Sequence, residues 1–440
     1  MFKGYEQFHN YFKKGFGKKQ IKQLFGDSVI IVDEAHNIRT DVENSETKKE
    51  EKRAQTMKGV TEALEYLAEH ANNTKLLFLS ATPMYNSPKE IVLLLSIMNM
   101  NDGRGRILAK EIFDKDGNFK INVNTGEKTG AKLLEQRARG YVSFVRGENP
   151  YTFPYRVWPM DFSENASFLA NELNRPTKKL NETELVQGIE NLDIFVTPIS
   201  SYQEMGYTYI MNQIRSGENN NYFDNDKVSY NIIQKPIQAL NILYPHKGLN
   251  MDMERVNVSS NSVDMKELVG KQGLERIMSY TEVSKPLPKR YDFKYKNVKA
   301  TGAIFSPDEI GKYSAKIKTI CHHIVNSEGV ILVYSQYIDG GLLPMALALE
   351  QLGFTRSGAS GTRSNLFDKK NVPKKRNIKY AMITGDKAFS PNNAKEMKLI
   401  TSSKNKDGGE VKVVLISRAG SEGLDFKFIR QVHVLSLIHI

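Results

Sequence analysis

Apolar residues along this chain follow two rhythms. Short runs rich in β-branched residues, bounded by polar ones, alternate with longer stretches in which apolar positions recur every three or four residues. The first pattern predicts strands buried on both faces, the second amphipathic helices. SVIIVDEAH, from Ser28, predicts a buried strand, and KLLFLSATP, from Lys75, predicts another. Between them TKKEEKRAQTMKGVTEALEYLAEHA predicts a charged amphipathic helix. SPKEIVLLLSIMNM follows with a Ser-Pro helix start. From about Lys312 the same alternation returns. SAKIKTICHHIVNS reads as a helix, GVILVYSQY as a buried strand, LLPMALALEQLGF as a helix and YAMITGD as a strand. SPNNAKEMKLITSS then reads as a helix, and VKVVLISRAGSEGLDF as a strand running into a glycine-rich loop. Strand alternating with helix predicts α/β units with parallel sheets. The middle keeps neither rhythm. RGYVSFVRGENPYTFPYRVWPMDFS is aromatic, basic and broken by proline, and predicts a crossing segment with short strands. SGENNNYFDNDK, from Ser216, is polar and predicts a mobile loop. The fold class is therefore α/β: two lobes with parallel sheets, joined by an irregular insertion.

Composition narrows this only a little. The 440 residues suffice for two or three domains, and the net charge of +12 suits a polyanionic partner as well as a merely basic protein. One cysteine, Cys321, excludes an intrachain disulfide and points to a reducing compartment. CHH at Cys321 to His323 sits in a helical pattern with no second ligand pair nearby, so it reads as a helix face rather than a metal site. The chain opens with no signal peptide and has no apolar run of membrane-spanning length.

Three stretches carry chemistry. Ligands of open α/β sheets sit at the carboxyl ends of strands, and VIIV ends in Asp33-Glu34-Ala35-His36. Asp33 suits the water shell of a nucleotide-bound Mg²⁺, which needs only one or two protein carboxylates. Glu34 suits the general base that orients and deprotonates an attacking water. The same pair at a strand end also fits a plain solvated turn. LSATP (79–83) ends the second strand. The hydroxyls of Ser80 and Thr82 suit hydrogen bonds to the acidic tetrad, and equally a helix N-cap. SRAGSEGLDF (417–426) ends a third strand. There Gly420 and Gly423 permit close backbone approach to a phosphate, and Ser417 and Ser421 offer hydroxyls to a nucleotide or a nucleic-acid backbone.

DEAH, SAT, ILVYSQY and SRAGSEGLDF stand in the order of motifs II, III, IV and V of superfamily 2 helicases with a DEAH box, and the chain resembles that superfamily. DEAHNIR, SATPMYNSPKEI, VRGENPYTFP and YSQYIDGGLLPMALALEQLGF bring it nearest the Snf2-like helicases of nucleocytoplasmic large DNA viruses. These include poxvirus nucleoside triphosphatase I and the ATPase subunit of the poxvirus early transcription factor. The resemblance implies two RecA-like lobes with ATP bound between them and Mg²⁺ as cofactor. It implies Asp33 and Glu34 as the catalytic pair, Asp33 holding Mg²⁺ through water. His36, Ser80, Thr82, Gly423 and Asp425 would couple nucleotide state to movement, and Gln336, Ser417, Arg418, Gly420 and Ser421 would touch nucleic acid. Arg146 would help bridge the lobes. The implied partners are double-stranded DNA and a viral RNA polymerase. The implied location is inside the cell, in host cytoplasm or a viral factory, or packaged in the virion. The basic loop Arg363 to Lys379 fits a DNA backbone contact or plain solvation.

The departures are as specific as the matches. The resemblance requires G-x-x-x-x-G-K-[ST] before motif II and Q-x-x-G-R-x-x-R after motif V, and neither occurs. KKGFGKKQ (13–20) has the glycines and lysines but the wrong spacing and no following hydroxyl. Both lobes are thus expected to be incomplete and this chain inactive by itself. Residues 1–140 would be the end of the first lobe, 141–310 the crossing segment and insertion, and 311–434 a truncated second lobe. The LSLIHI ending (435–440) would be a non-native, adapter-derived tail. The intact protein would be an ATP-dependent DNA translocase or helicase acting in viral transcription. The alternative is a catalytically inactive scaffold that binds nucleic acid or RNA polymerase.

Overall fold

The computed structural model describes residues 3–38, 48–84, 89–114, 117–144, 158–178, 184, 193–216, 230–249, 263–283, 290–358, 365–368, 376–418 and 424–436. The chain divides into two compact units, Met1–Glu148 and Asn149–Ile438. Both are mixed α/β with parallel pairing, compatible with RecA-like lobes.

In the first unit, α1 (Tyr5–Phe12), α2 (Lys18–Phe25), β1 (Val29–Val32), α3 (Lys48–His70), β2 (Lys75–Phe78) and α4 (Glu90–Asn101) succeed one another. β1 and β2 pair in parallel, from Val29 opposite Lys75 to Val32 opposite Phe78. Ile21, Val32, Val60, Leu64, Leu67, Leu94 and Ile97 form the core between these elements. The expectation that both strands are buried on both faces does not hold here. Val29 is 65 % and Ile31 60 % exposed, and Leu77 beside them is 46 % exposed. Only alternate side chains, Ile30, Val32, Leu76 and Phe78, pack against the helices. A β-branched run reads alike whether one face or two are covered, because the covering elements are set by tertiary contacts.

The second unit holds an antiparallel pair, β3 (Met278–Val283) and β4 (Arg290–Tyr295), and a five-stranded sheet. Its strands are β5 (Val330–Ser335), β6 (Thr355–Arg356), β7 (Lys379–Ile383), β8 (Val413–Ile416) and β9 (Ile429–Ser436). They run parallel in the order β6-β7-β8-β5-β9. Here the continuous apolar runs do mean burial on both faces. Ile331, Val333, Tyr380, Met382, Val413 and Leu415 face the larger core with helices Ala315–Asn326 and Leu343–Gln351. Val330, Ala381, Ile383, Val414 and Ile416 face a smaller one with Ile400. The middle of the chain is more regular than its pattern suggested. Helices Ser201–Ser216, Tyr230–Asn241 and Gly270–Ile277 supply Tyr202, Ile210, Ala239, Leu274 and Ile277 to that larger core. Leu435 and Ser436, placed by sequence in the terminal hexapeptide, are the last two residues of β9. Leu435 is buried, and the Ser436 hydroxyl lies 2.8 Å from that of Ser335. Most of the polar stretch from Ser216 lies outside the described residues.

Candidate functional site

The first unit holds its chemistry where β1 and β2 end. The parallel ladder continues one step beyond the strands. Leu79 N–H donates to the Val32 carbonyl at 2.9 Å, and Ala35 N–H to the Leu79 carbonyl at 2.9 Å. These bonds fasten the Asp33-Glu34 turn to the segment that carries Ser80. Glu34 occupies the left-handed region, φ 51°, ψ 48°, which a side chain with a Cβ adopts at a cost. The surroundings hold it there. The Tyr5 hydroxyl meets the Asp33 carbonyl at 2.5 Å and the Glu34 carbonyl at 3.2 Å, and Asn37 Nδ2 donates to the Glu34 carbonyl at 3.2 Å. Burial, with Asp33 and Glu34 adding to it, pushes the Tyr5 hydroxyl up to about 12, so it stays a proton donor. Asp33 Oδ1 accepts the Glu34 N–H at 2.9 Å.

His36 joins the two strand ends. Its Nδ1 lies 3.3 Å from Glu34 Oε2 and 3.0 Å from Ser80 Oγ. The Ser80 hydroxyl donates to the Thr82 carbonyl at 2.8 Å and accepts the Thr82 N–H at 3.1 Å. With its only proton committed to Thr82, Ser80 Oγ is the acceptor toward His36, which assigns the proton to Nδ1. Nε2 is then the acceptor that faces Asn37 Nδ2 at 3.5 Å. Asp33, Glu34, His36 and Ser80 thus come together, and Thr82 joins them through its main chain. Asp33 and Glu34 are exposed to solvent. An exposed carboxylate with one oxygen bound to a main-chain amide fits a hydrated divalent cation held mostly by water and phosphate. Among the described residues, no group of three or more His, Cys, Asp or Glu is placed to hold a metal. Cys321 is buried in its helix, as the helix-face pattern implied.

In the second unit, Gln336 follows β5, and Ser417 and Arg418 follow β8. The two strands are neighbours, with Tyr334 opposite Ile416. The chain leaves β5 toward β6 on one side and leaves β8 for β9 on the other. Their carboxyl ends therefore flank the point where ligands of open α/β sheets bind. Ser417 N–H donates to the Ile383 carbonyl at 3.1 Å, and its buried hydroxyl has no hydrogen-bond partner among the described residues. Asp425 is exposed. Gly420, Ser421, Gly423 and Arg146 lie outside the described residues, as does much of the Arg363 to Lys379 loop.

Two features had not been singled out by motif. Tyr5 reaches the acidic turn from 28 residues upstream, a contact that no local pattern announces. At the end of β7, Thr384 Oγ1 meets Ser390 Oγ at 3.0 Å, and Asn393 Nδ2 donates to the Thr384 carbonyl at 3.1 Å. The signal for that knot was available, since TGD follows a buried strand directly.

A parallel α/β fold with this tetrad at a strand end is compatible with the viral helicases to which the chain is similar. No protein-family model matches the chain. It is 24 % identical over 429 residues to the termination factor NPH-I homolog of African swine fever virus (isolate Tick/Malawi/Lil 20-1/1983), covering 92 % of this chain and 50 % of that protein. It is 22 % identical over 421 residues to the putative ATP-dependent RNA helicase R563 of Acanthamoeba polyphaga mimivirus, covering 95 % of this chain and 55 % of that protein. With the putative ATP-dependent RNA helicase L377 of the same virus it shares 31 % identity over 131 residues, 30 % of this chain and 10 % of that protein. The chain spans about half the length of the African swine fever virus and R563 relatives. At low identity over most of its length, it is similar to viral superfamily 2 helicases. Among the described residues no helix is long and apolar enough to cross a membrane.

Proposed function

We propose that this chain is part of a viral ATP-dependent translocase that moves along nucleic acid during transcription. The observation that carries this reading is the Asp33–Glu34–His36–Ser80 network at the ends of two paired parallel strands. Asp33 would hold the water shell of Mg²⁺, which supplies charge neutralisation to the phosphates of ATP. Glu34 would take the proton of the attacking water. The His36 Nδ1–H on Glu34 Oε2 keeps that carboxylate aimed. When Glu34 is protonated its charge is lost and its hold on His36 weakens, leaving Ser80 as the stronger acceptor. Nucleotide chemistry on β1 is thereby felt at the end of β2. At the β5 and β8 ends, Gln336, Ser417 and Arg418 would meet a nucleic-acid backbone together with Gly420 and Ser421, while Gly423 and Asp425 would couple nucleotide state to movement.

The African swine fever virus relative is named as a termination factor, which favours a role in transcription and a polymerase partner. The mimivirus relatives are named as RNA helicases, which leaves RNA beside duplex DNA as substrate. An inactive scaffold is the second reading, and the intact Asp33–Glu34 pair counts against it, since an inactive site has no need of the Glu34 carboxylate. Glu34→Gln in the longer protein separates the two. The amide is nearly isosteric but takes no proton, so nucleic-acid-stimulated turnover falls by roughly 10² or more, a general base being worth about 10²–10⁴. Nucleotide binding survives that change, whereas Asp33→Ala weakens Mg²⁺-dependent nucleotide binding itself. Undiminished turnover in Glu34→Gln would remove the carboxylate from the mechanism, and no turnover in the parent protein would favour the scaffold.

A further inference from the structure

Lys13, Lys14, Lys18, Lys19 and Lys22 fall within ten residues, and no acid occurs between Lys13 and Gly26. This is the stretch whose spacing fails as a nucleotide phosphate loop. Lys13 and Lys14 close α1, Gly15 turns the chain at φ 75°, and α2 begins at Lys18 behind an extended Gly17. Ile21 is fully buried, with Phe16 and Phe25 packed beside it, so α2 is fixed by its apolar face. All five lysines are exposed. None has an acidic partner within ion-pair distance among the described residues.

These charges stand where they oppose the fold. Lys18 and Lys22 are like charges one turn apart, a destabilising pair. Lys18 and Lys19 occupy the first turn of α2, which holds no acid, although the dipole there favours negative charge. A bound polyanion would offset all of this at once. We propose that the Lys13–Lys22 surface takes the phosphodiester backbone of a nucleic acid. The first-turn amides of α2 add donors to the lysines. Lys18 and Lys22 are about 6 Å apart along the helix, one turn, so both can reach one strand's backbone. A membrane surface is disfavoured because the apolar face of α2 is buried in the core rather than open to lipid. The surface rests on the translocase reading only for the choice of polyanion.

The test is binding of the 440-residue chain to labelled mixed-sequence duplex and single strands between roughly 50 and 200 mM salt. Wild-type affinity falls steeply with salt. Lys→Gln at all five positions lowers affinity at least about tenfold at 100 mM, and flattens the salt slope by about two or more, near one per lost phosphate contact. Lys→Arg at the same positions retains binding. The Gln variant melts no lower than wild type, since repulsion is removed. Lys18→Glu gives an independent check, because it places a favourable acid in the first turn and must still weaken binding. Unchanged affinity and slope in these variants, no nucleic-acid binding by wild type, or lysine-dependent binding to phosphatidylserine vesicles in place of nucleic acid would each overturn the proposal. Lysine-dependent binding without turnover in the longer protein would spare the surface and sink the ATPase reading. Lysine-independent binding with Glu34-dependent turnover would do the reverse.

Discussion

Glu34 carries two demands that conflict. Its left-handed backbone favours glycine, while the chemistry assigned to it needs a carboxylate. Glu34→Gly should therefore raise the stability of the first unit, by up to about 1 kcal/mol, and abolish turnover in the longer protein. Urea unfolding and phosphate release measure the two effects, and a less stable glycine variant would show that the turn is not strained. A second residue-scale prediction concerns Glu350, fully buried in helix Leu343–Gln351. Its carboxyl accepts from Leu366 N–H at 2.5 Å, Phe367 N–H at 2.8 Å and the Tyr380 hydroxyl at 2.6 Å. Burial outweighs these donors and nearby Arg356, and pushes the group up to about 7. A carboxyl raised in this way binds its proton more tightly folded than unfolded. Its contribution is full below its ordinary value of 4.5 and is lost as pH rises through about 7. The stability gap between wild type and Glu350→Gln should accordingly be larger at pH 5 than at pH 8. Equal gaps in chemical denaturation would contradict the raised value.

At the scale of elements, β1 and β5 look alike in sequence and differ in surroundings. Ile31 on β1 is 60 % exposed, whereas Ile331 on β5 is 0 % exposed. Ile331→Ala should cost about 2–5 kcal/mol, the range for emptying a packed site. Ile31→Ala in this chain should stay within about 0.5 kcal/mol, as for a surface substitution. Amide hydrogen exchange, read separately for the two units, distinguishes them. A large cost at Ile31 would mean that the outer face of β1 is covered after all.

At the scale of the whole molecule, the chain carries the tetrad but neither the phosphate-loop pattern nor the arginine-finger pattern of the helicases it resembles. Phosphoryl transfer depends on charges positioned around the phosphates. The 440-residue chain should therefore release no phosphate above background, with or without nucleic acid. Measurable nucleic-acid-stimulated release would show that other residues of this chain supply those charges.

The strand–helix alternation of residues 28–101 and 312–416, the parallel sheets and the strand-end position of Asp33 and Glu34 were legible in sequence, because strand and helix periods and turn residues are local properties; α1, α2 and the edge strands β6 and β9 were not. The helices and hairpin of the middle were not, since proline-broken and aromatic stretches declare no period until they find a core to pack in. Nor was the exposure of Ile31, or the hydroxyl of Tyr5 on the acidic turn. The sequence alone determined which side chains stand at the ends of the strands. Tertiary structure alone decided that His36 lies between Glu34 and Ser80, because two segments 44 residues apart meet only when β1 pairs with β2.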